Sequence, residues 1–143
     1  MSITRLALIA LLLIVPISQG WATVSDGVAA LERSDYEAAA AEFKPLAESG
    51  NAEAQAYLGF LYQTGRGVPR DANEAARWTR MAGEQGHLDA QYNLGQLYRV
   101  GRGVPQDDAK ALTWLRRAAE GGQPDAQLEL GQIYESEVDD LSS

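Results

Sequence analysis

Residues 88–105 read LDAQYNLGQLYRVGRGVP, and residues 52–69, thirty-six positions earlier, read AEAQAYLGFLYQTGRGVP. The correspondence runs on past both stretches: eighteen of the 36 residues from Ala52 to His87 recur, unshifted, between Leu88 and Gln123. A third copy opens as PDAQLELGQIY at residues 124–134 and stops before its own Gly-Arg-Gly segment. Self-similarity at this period marks a tandem array in which each unit buries its apolar face against the next. Such arrays present an extended surface and seldom an enclosed pocket, so the first functional expectation is binding.

Within a unit the apolar spacing predicts two helices. Ala54, Leu58, Leu61 and Tyr62 lie at i, i+4, i+7 and i+8, one face of a 3.6-residue period. Asn51, His87 and Gln123 hold the equivalent start position, and Pro124 takes the first helical position of copy three, where its missing N–H is harmless. Gly59, Gly95 and Gly131 fall inside this helix although each costs about 1 kcal/mol relative to alanine; close approach of a neighbouring helix is the expected compensation. The helix ends at Gly65-Arg66-Gly67 and again at Gly101-Arg102-Gly103, where glycine permits a sharp reversal. Asp71 then caps a second helix, with Glu74 completing a capping box, and Asp107 caps its counterpart without that Glu. Ala75, Trp78 and Ala82, and likewise Ala111, Trp114 and Ala118, sit at i, i+3 and i+7, which points both indoles inward.

Upstream lies a degenerate unit: a short helix from Ser25 to Arg33, then one opening at Asp35-Tyr36 with Ala39, Ala40, Phe43, Leu46 and Ala47 on its buried side. Pro45 should bend that second helix. The expected fold is all-α, about seven short helices in pairs, the last unpaired from Pro124 to about Tyr134 and followed by a frayed acidic tail.

The pattern Ala-Gln-x-x-Leu-Gly-x-x-Tyr, then Gly-x-Gly-Val-x-x-Asp, Ala-x-x-Trp and Ala-x-Glu-x-Gly at a period of 36 resembles the Sel-one-like repeat, a relative of the tetratricopeptide repeat. The resemblance covers Ala52 to Tyr134 closely and Asp35 to Asn51 loosely. It implies a right-handed α/α superhelical solenoid whose members act as adaptors and scaffolds in protein complexes, bacterial envelope and secreted proteins among them. It implies no shared chemistry. Few repeats and no cysteine set this chain apart from the disulfide-rich secreted branch.

The ends carry different information. Arg5, the apolar run Leu6 to Val15, Pro16 and the small-residue pattern around Gly20-Trp21-Ala22 read as a secretory signal, residues 1–22, cleaved best after Ala22 and second best after Gly20. A retained anchor is the alternative, but the run falls well short of the ~18 residues a transmembrane helix needs. Secretion places the chain in a bacterial periplasm or outside the cell, with no stable membrane insertion after cleavage. The remainder reads as one domain, 23–143, made of a degenerate unit (23–51), two full units (52–87 and 88–123) and a partial one (124–143). With no cysteine, its stability must come from packing. Charge is divided along it: residues 23–59 carry 2 basic and 7 acidic groups, 60–117 carry 9 and 6, and 118–143 carry none and 7. The acidic balance argues against nucleic acid as a partner.

Little in the chain suggests catalysis. Both Gly-Arg-Gly segments lack the third glycine, preceding strand and Lys-Ser/Thr of phosphate loops, which favours turns. His87 is the single histidine, so neither a zinc site nor a His-dependent triad has its material, and no cofactor or metal is expected. Ser-x-x-Lys is absent, which weighs against an envelope hydrolase of the penicillin-recognising kind; a hydrolase or its regulator is the third-ranked reading. Glu135, Glu137 and Asp139-Asp140 suit a solvated tail better than a calcium site. The indoles are positioned to stack on sugars only if they face outward, and their repeat-fixed positions favour core.

The most informative surface is the outer side of each first helix. Opposite Ala54, Leu58 and Leu61 lie Glu53, Ala56, Phe60 and Gln63; their equivalents are Asp89, Tyr92, Gln96 and Arg99, then Asp125, Leu128, Gln132 and Glu135. In tetratricopeptide-like stacks this is the concave side. Phe60, Tyr92 and Leu128 would form an apolar row with polar neighbours, suited to a peptide or helix; Arg99 would meet an acidic group, and Glu53 and Asp89 basic ones. Packing between adjacent units is an equally good reading of the row. The expected function is therefore a protein-binding module of the periplasm or medium. The alternative is a structural subunit that docks or self-associates through its terminal helices.

Overall fold

A computed structural model describes residues 22–142; of the signal segment read over residues 1–22, all but Ala22 lies outside them. Seven helices follow in order: α1 (Val24–Glu32), α2 (Tyr36–Glu48), α3 (Ala52–Thr64), α4 (Ala72–Glu84), α5 (Leu88–Val100), α6 (Asp108–Glu120) and α7 (Pro124–Ser142). Packing runs chiefly from each helix to the next in sequence, the arrangement of an all-α helical-repeat solenoid. Pairs α1–α2, α3–α4 and α5–α6 form the units, and α7 opens a fourth.

The helix starts follow local chemistry. The Ala54 N–H donates to Asn51 Oδ1 at 2.8 Å, Ala90 N–H to His87 Nδ1 at 3.2 Å and Ala126 N–H to Gln123 Oε1 at 2.6 Å, so three different residues perform one capping task. Asp71 and Asp107 cap α4 and α6 through Asn73, Glu74 and Lys110. The predicted capping box at Asp71 is absent, because the Glu74 carboxylate turns to Arg77 at 2.8 Å instead of reaching back. A full capping box does occur at Thr23 and Asp26, ahead of α1. α2 continues as helix past Pro45 to Glu48.

Two devices hold consecutive units together. The second glycine of each turn, Gly67 and Gly103, adopts φ 69°, and a Cβ there would fall onto the backbone carbonyl of Tyr36 or Ala72 at the start of the preceding unit's second helix. The Gln of each Ala-Gln pair donates to a carbonyl at the end of that same helix: Gln55 to Ala47 O, Gln91 to Gly83 O and Gln127 to Ala119 O, all at 3.0–3.1 Å. Each of these carbonyls also accepts the N–H of the glycine three residues on, Gly50, Gly86 or Gly122, and glutamine supplies a second donor at the helix end.

The core is strung along the array as three clusters. The first gathers Phe43, Ala47, Leu58, Leu61 and Trp78, the second Leu94, Leu97, Tyr98 and Val104, and the third Leu115, Ala118, Ala119 and Ala126. Gly59 and Gly95 are the close approaches expected of them. A Cβ at Gly59 would meet Thr79 Oγ1 at 2.6 Å, and one at Gly95 would meet Ala111 O at 3.2 Å and Leu115 N at 3.5 Å.

At the C-terminal end three expectations fail. Gly131 has nothing within 4 Å of its Cβ position, because among the described residues no helix follows α7 to pack on this side. Trp114 is only half-buried against the second cluster, with the Arg117 guanidinium 4.8 Å from its ring, whereas Trp78 is buried. The acidic segment after Tyr134 is helical to Ser142 instead of frayed; lacking the Gly-Arg-Gly that stops α3 and α5, it has no residue to break the helix.

Candidate protein-binding face

Helices α1, α3, α5 and α7 stand side by side and leave two shallow depressions between them. The first, of about 360 Å³, is lined by Leu31 of α1, Glu53, Ala56, Tyr57 and Phe60 of α3, and His87, Asp89 and Asn93 at α5. The second, of about 330 Å³, lies between α5 and α7 and is lined by Tyr92, Gln96, Arg99, Asp125, Leu128, Glu129 and Gln132. Ten of the twelve residues singled out on this face from the sequence thus border one depression or the other, and exposed Glu135 is one of the two that do not. Gln63 is half-buried and borders neither.

The apolar row is uneven in depth. Phe60 is 42% exposed and Leu128 64% exposed, while Tyr92 between them is half-buried against the third core cluster. The row is therefore part surface and part packing between units. Phe60 is flanked by the Arg66 guanidinium, 5.9 Å from its ring and 5.0 Å from that of Tyr36. The arginine of the first Gly-Arg-Gly turn is thereby committed to aromatic faces. Beneath the first depression Tyr57 stacks on Phe43 at 4.7 Å and 11°, a rigid floor for whatever enters.

Electrostatically the two depressions differ. Glu53 and Asp89 give the first an acidic rim; burial, then these two carboxylates, raise the pKa of Tyr57 above that of free tyrosine. In the second, Gln96 links Glu129 and Arg99: its Nε2 donates to Glu129 Oε2 at 2.6 Å, and its Oε1 accepts from Arg99 at 2.6 and 2.9 Å. Arg99 Nε lies 3.9 Å from Glu129. Arg99 is already engaged within the chain, unlike the free cation expected from sequence. Burial and then Glu129 raise the pKa of Tyr92. Both phenols stay protonated at neutral pH, fit to donate a hydrogen bond and not to act as bases.

Sequence reasoning missed Tyr57, Asn93 and Leu31. Tyr57 and Asn93 sit four residues after Glu53 and Asp89, on the edge of the same helical face, so a wider arc would have found them. Leu31 comes from another unit and carries no such signal. His87 uses its Nδ1 as a cap, and among the described residues no grouping of three or more His, Cys, Asp or Glu side chains is placed to hold a metal ion.

Against family models, the Sel1 repeat matches residues 52–87, 88–123 and 124–137. The chain belongs to the Sel1 repeat family. Proteins of this family typically serve as protein-interaction modules. Among solved structures, a Sel1 repeat protein from Oxalobacter formigenes is 40% identical with a TM-score of 0.69, over 70% of this chain and 29% of that one. The protein c5321, a protective antigen of uropathogenic Escherichia coli strains with an SLR fold, is 33% identical with a TM-score of 0.71, over 78% of this chain and 26% of that one. This Sel1 repeat chain thus spans less than a third of either. Helicobacter pylori cysteine rich protein B shares the fold at 20% identity and a TM-score of 0.60, over 72% of this chain and 88% of that one. No curated protein matches significantly.

Proposed function

We propose that the chain is a non-catalytic adaptor of the bacterial periplasm or medium that holds a peptide or helix of a partner protein along the face of α1, α3, α5 and α7. The observation that carries this reading is the first depression: an exposed phenyl ring over an aromatic floor, between two carboxylates. It suits an apolar side chain flanked by basic groups, and burying an aromatic anchor inside a polar rim is how such contacts gain most of their energy.

The test begins with a pull-down from the native host and mass spectrometry, followed by calorimetric titration of the partner so identified. Phe60→Ala is expected to weaken binding about thirtyfold, the effect of losing roughly 2 kcal/mol at a central anchor, with melting unchanged because the ring is exposed. Leu128→Ala should act in the same sense. Tyr92→Ala is a poorer probe of this face, since its ring also supports the third cluster. Full affinity in both Phe60→Ala and Leu128→Ala would rule the face out.

Export is part of the same reading. Cleavage after Ala22 would leave Thr23, the residue whose side chain caps α1, as the first of the mature chain. Its new ammonium would lie on the Asp26 carboxylate, which already accepts from Thr23 N at 3.2 Å. N-terminal sequencing of the exported protein should read Thr-Val-Ser; a cytosolic protein that retains Met1 would contradict export.

A further inference from the structure

In the complete units the glycine side of each first helix is covered by the second helix. Leu94, Leu97 and Tyr98 are buried in this way, and the α6 backbone passes over Gly95. α7 repeats the same residues as Leu130, Gly131, Ile133 and Tyr134, yet nothing lies within 4 Å over Gly131, and Tyr134 is 43% exposed. Among the described residues no helix closes this pair. Where α3 and α5 give way to Gly-Arg-Gly-Val-Pro, α7 has Glu137-Val138-Asp139-Asp140-Leu141 and remains helical.

That extension continues the uncovered face instead of ending it. Tyr134, Val138 and Leu141 lie at i, i+4 and i+7, and the last two are 65% and 89% exposed. With Gly131 they form one apolar stripe about 15 Å long at the helical rise, edged by Glu135 and Glu137 and backed by Leu130, which packs on the third cluster. α7 also sits on α6 in the register that α5 keeps on α4. Arg116 donates to the Tyr134 hydroxyl at 3.2 Å, as Arg80 does to the Tyr98 hydroxyl at 3.1 Å in the unit before.

We infer that this stripe is a docking site for a basic amphipathic helix of a partner protein, seated where α4 and α6 sit in the full pairs, with a small residue over Gly131. Charge selects the occupant. Residues 118–143 carry seven acidic groups and no basic one, so α7 against α7 of a second copy sets like charges together, while a helix with Lys or Arg beside its apolar seam meets Glu135 and Glu137 favourably.

A labelled synthetic helix with the apolar positions of α6 (Ala111, Trp114, Leu115 and Ala118) and lysine at its outward positions tests this, alongside a twin with glutamate at those positions. In fluorescence anisotropy with the purified protein, the lysine peptide should bind at least tenfold more tightly than its twin, and more weakly as salt rises. Gly131→Leu, which fills the close approach, should weaken binding at least tenfold without lowering the melting temperature. Val138→Glu, at an exposed position, should do the same. Phe60→Ala should leave this binding intact, which separates it from the face of the first helices. The inference is overturned if neither peptide binds, if the two bind alike, or if Gly131→Leu and Val138→Glu bind as wild type. It is equally overturned if the protein alone sediments as a dimer that Gly131→Leu dissolves, since a second copy then fills the stripe.

Discussion

Trp78→Ala is expected to destabilise the fold by about 3–5 kcal/mol, the cost of emptying a buried indole site that cannot collapse. The side chain is buried in the first cluster with Leu58 and Leu61, and the Arg77 guanidinium lies 4.1 Å from its ring. Its repeat equivalent serves as an internal control. Trp114 is half-buried, so Trp114→Ala should cost roughly half as much on the same scale. Urea unfolding of the two variants checks both the size and the ranking. Equal losses would show that repeat position, and not burial, sets the cost; a loss below about 1 kcal/mol for Trp78 would remove it from the core.

Gly95→Leu should be nearly as damaging, about 3 kcal/mol, at the upper end of what overpacking costs. The reason is what the new side chain meets. Ala111 O and Leu115 N belong to the α6 backbone and cannot rotate aside, so α5 and α6 must part along their length. For a chain of this size such a loss lowers the melting temperature by about 10 °C. Gly95→Ala should be close to neutral: its Cβ at 3.2 Å from Ala111 O asks a few tenths of an ångström of α6, and alanine returns about 1 kcal/mol of helix propensity. A thermal melt of Gly95→Leu within a degree or two of wild type would show that α5 and α6 do not need this contact.

How much of this was legible in the sequence follows from how far each property reaches along the chain. Helix number, caps and turns depend on a few adjacent residues, and Asn51, His87, Gln123 and Asp107 behave as their positions imply. The glycine close approaches were legible wherever a full pair exists. They failed at Gly131 because the periodicity records that a helix resembles its predecessors and not whether a neighbour arrives. The acidic tail is solvated as its charge density implies, but it is helical and not frayed, because the lack of any breaker after Tyr134 lets the helix run on. On the candidate face, spacing identified which residues share a side. It gave neither the depth of Tyr92, set by the third cluster, nor the engagement of Arg99 by Gln96 and Glu129, which requires a residue 33 positions from Gln96.

The contacts of Gly67 and Gly103, and of Gln55, Gln91 and Gln127, all reach backward to the unit before. Order therefore passes along the solenoid in one direction. Loss of α1 and α2 removes the seat of the next turn, whereas loosening of α7 costs α5 the Glu129 contacts of Gln96 and Arg99 and part of the packing of Tyr92, and leaves the seat of every earlier turn in place. Opening of such an array starts at its last helix and travels toward its first, because each unit is a template for its successor. The two binding faces then have different lifetimes built into them: a guest on α7 sits on the part of the molecule that breathes soonest, while the depression around Phe60 stays formed through those excursions.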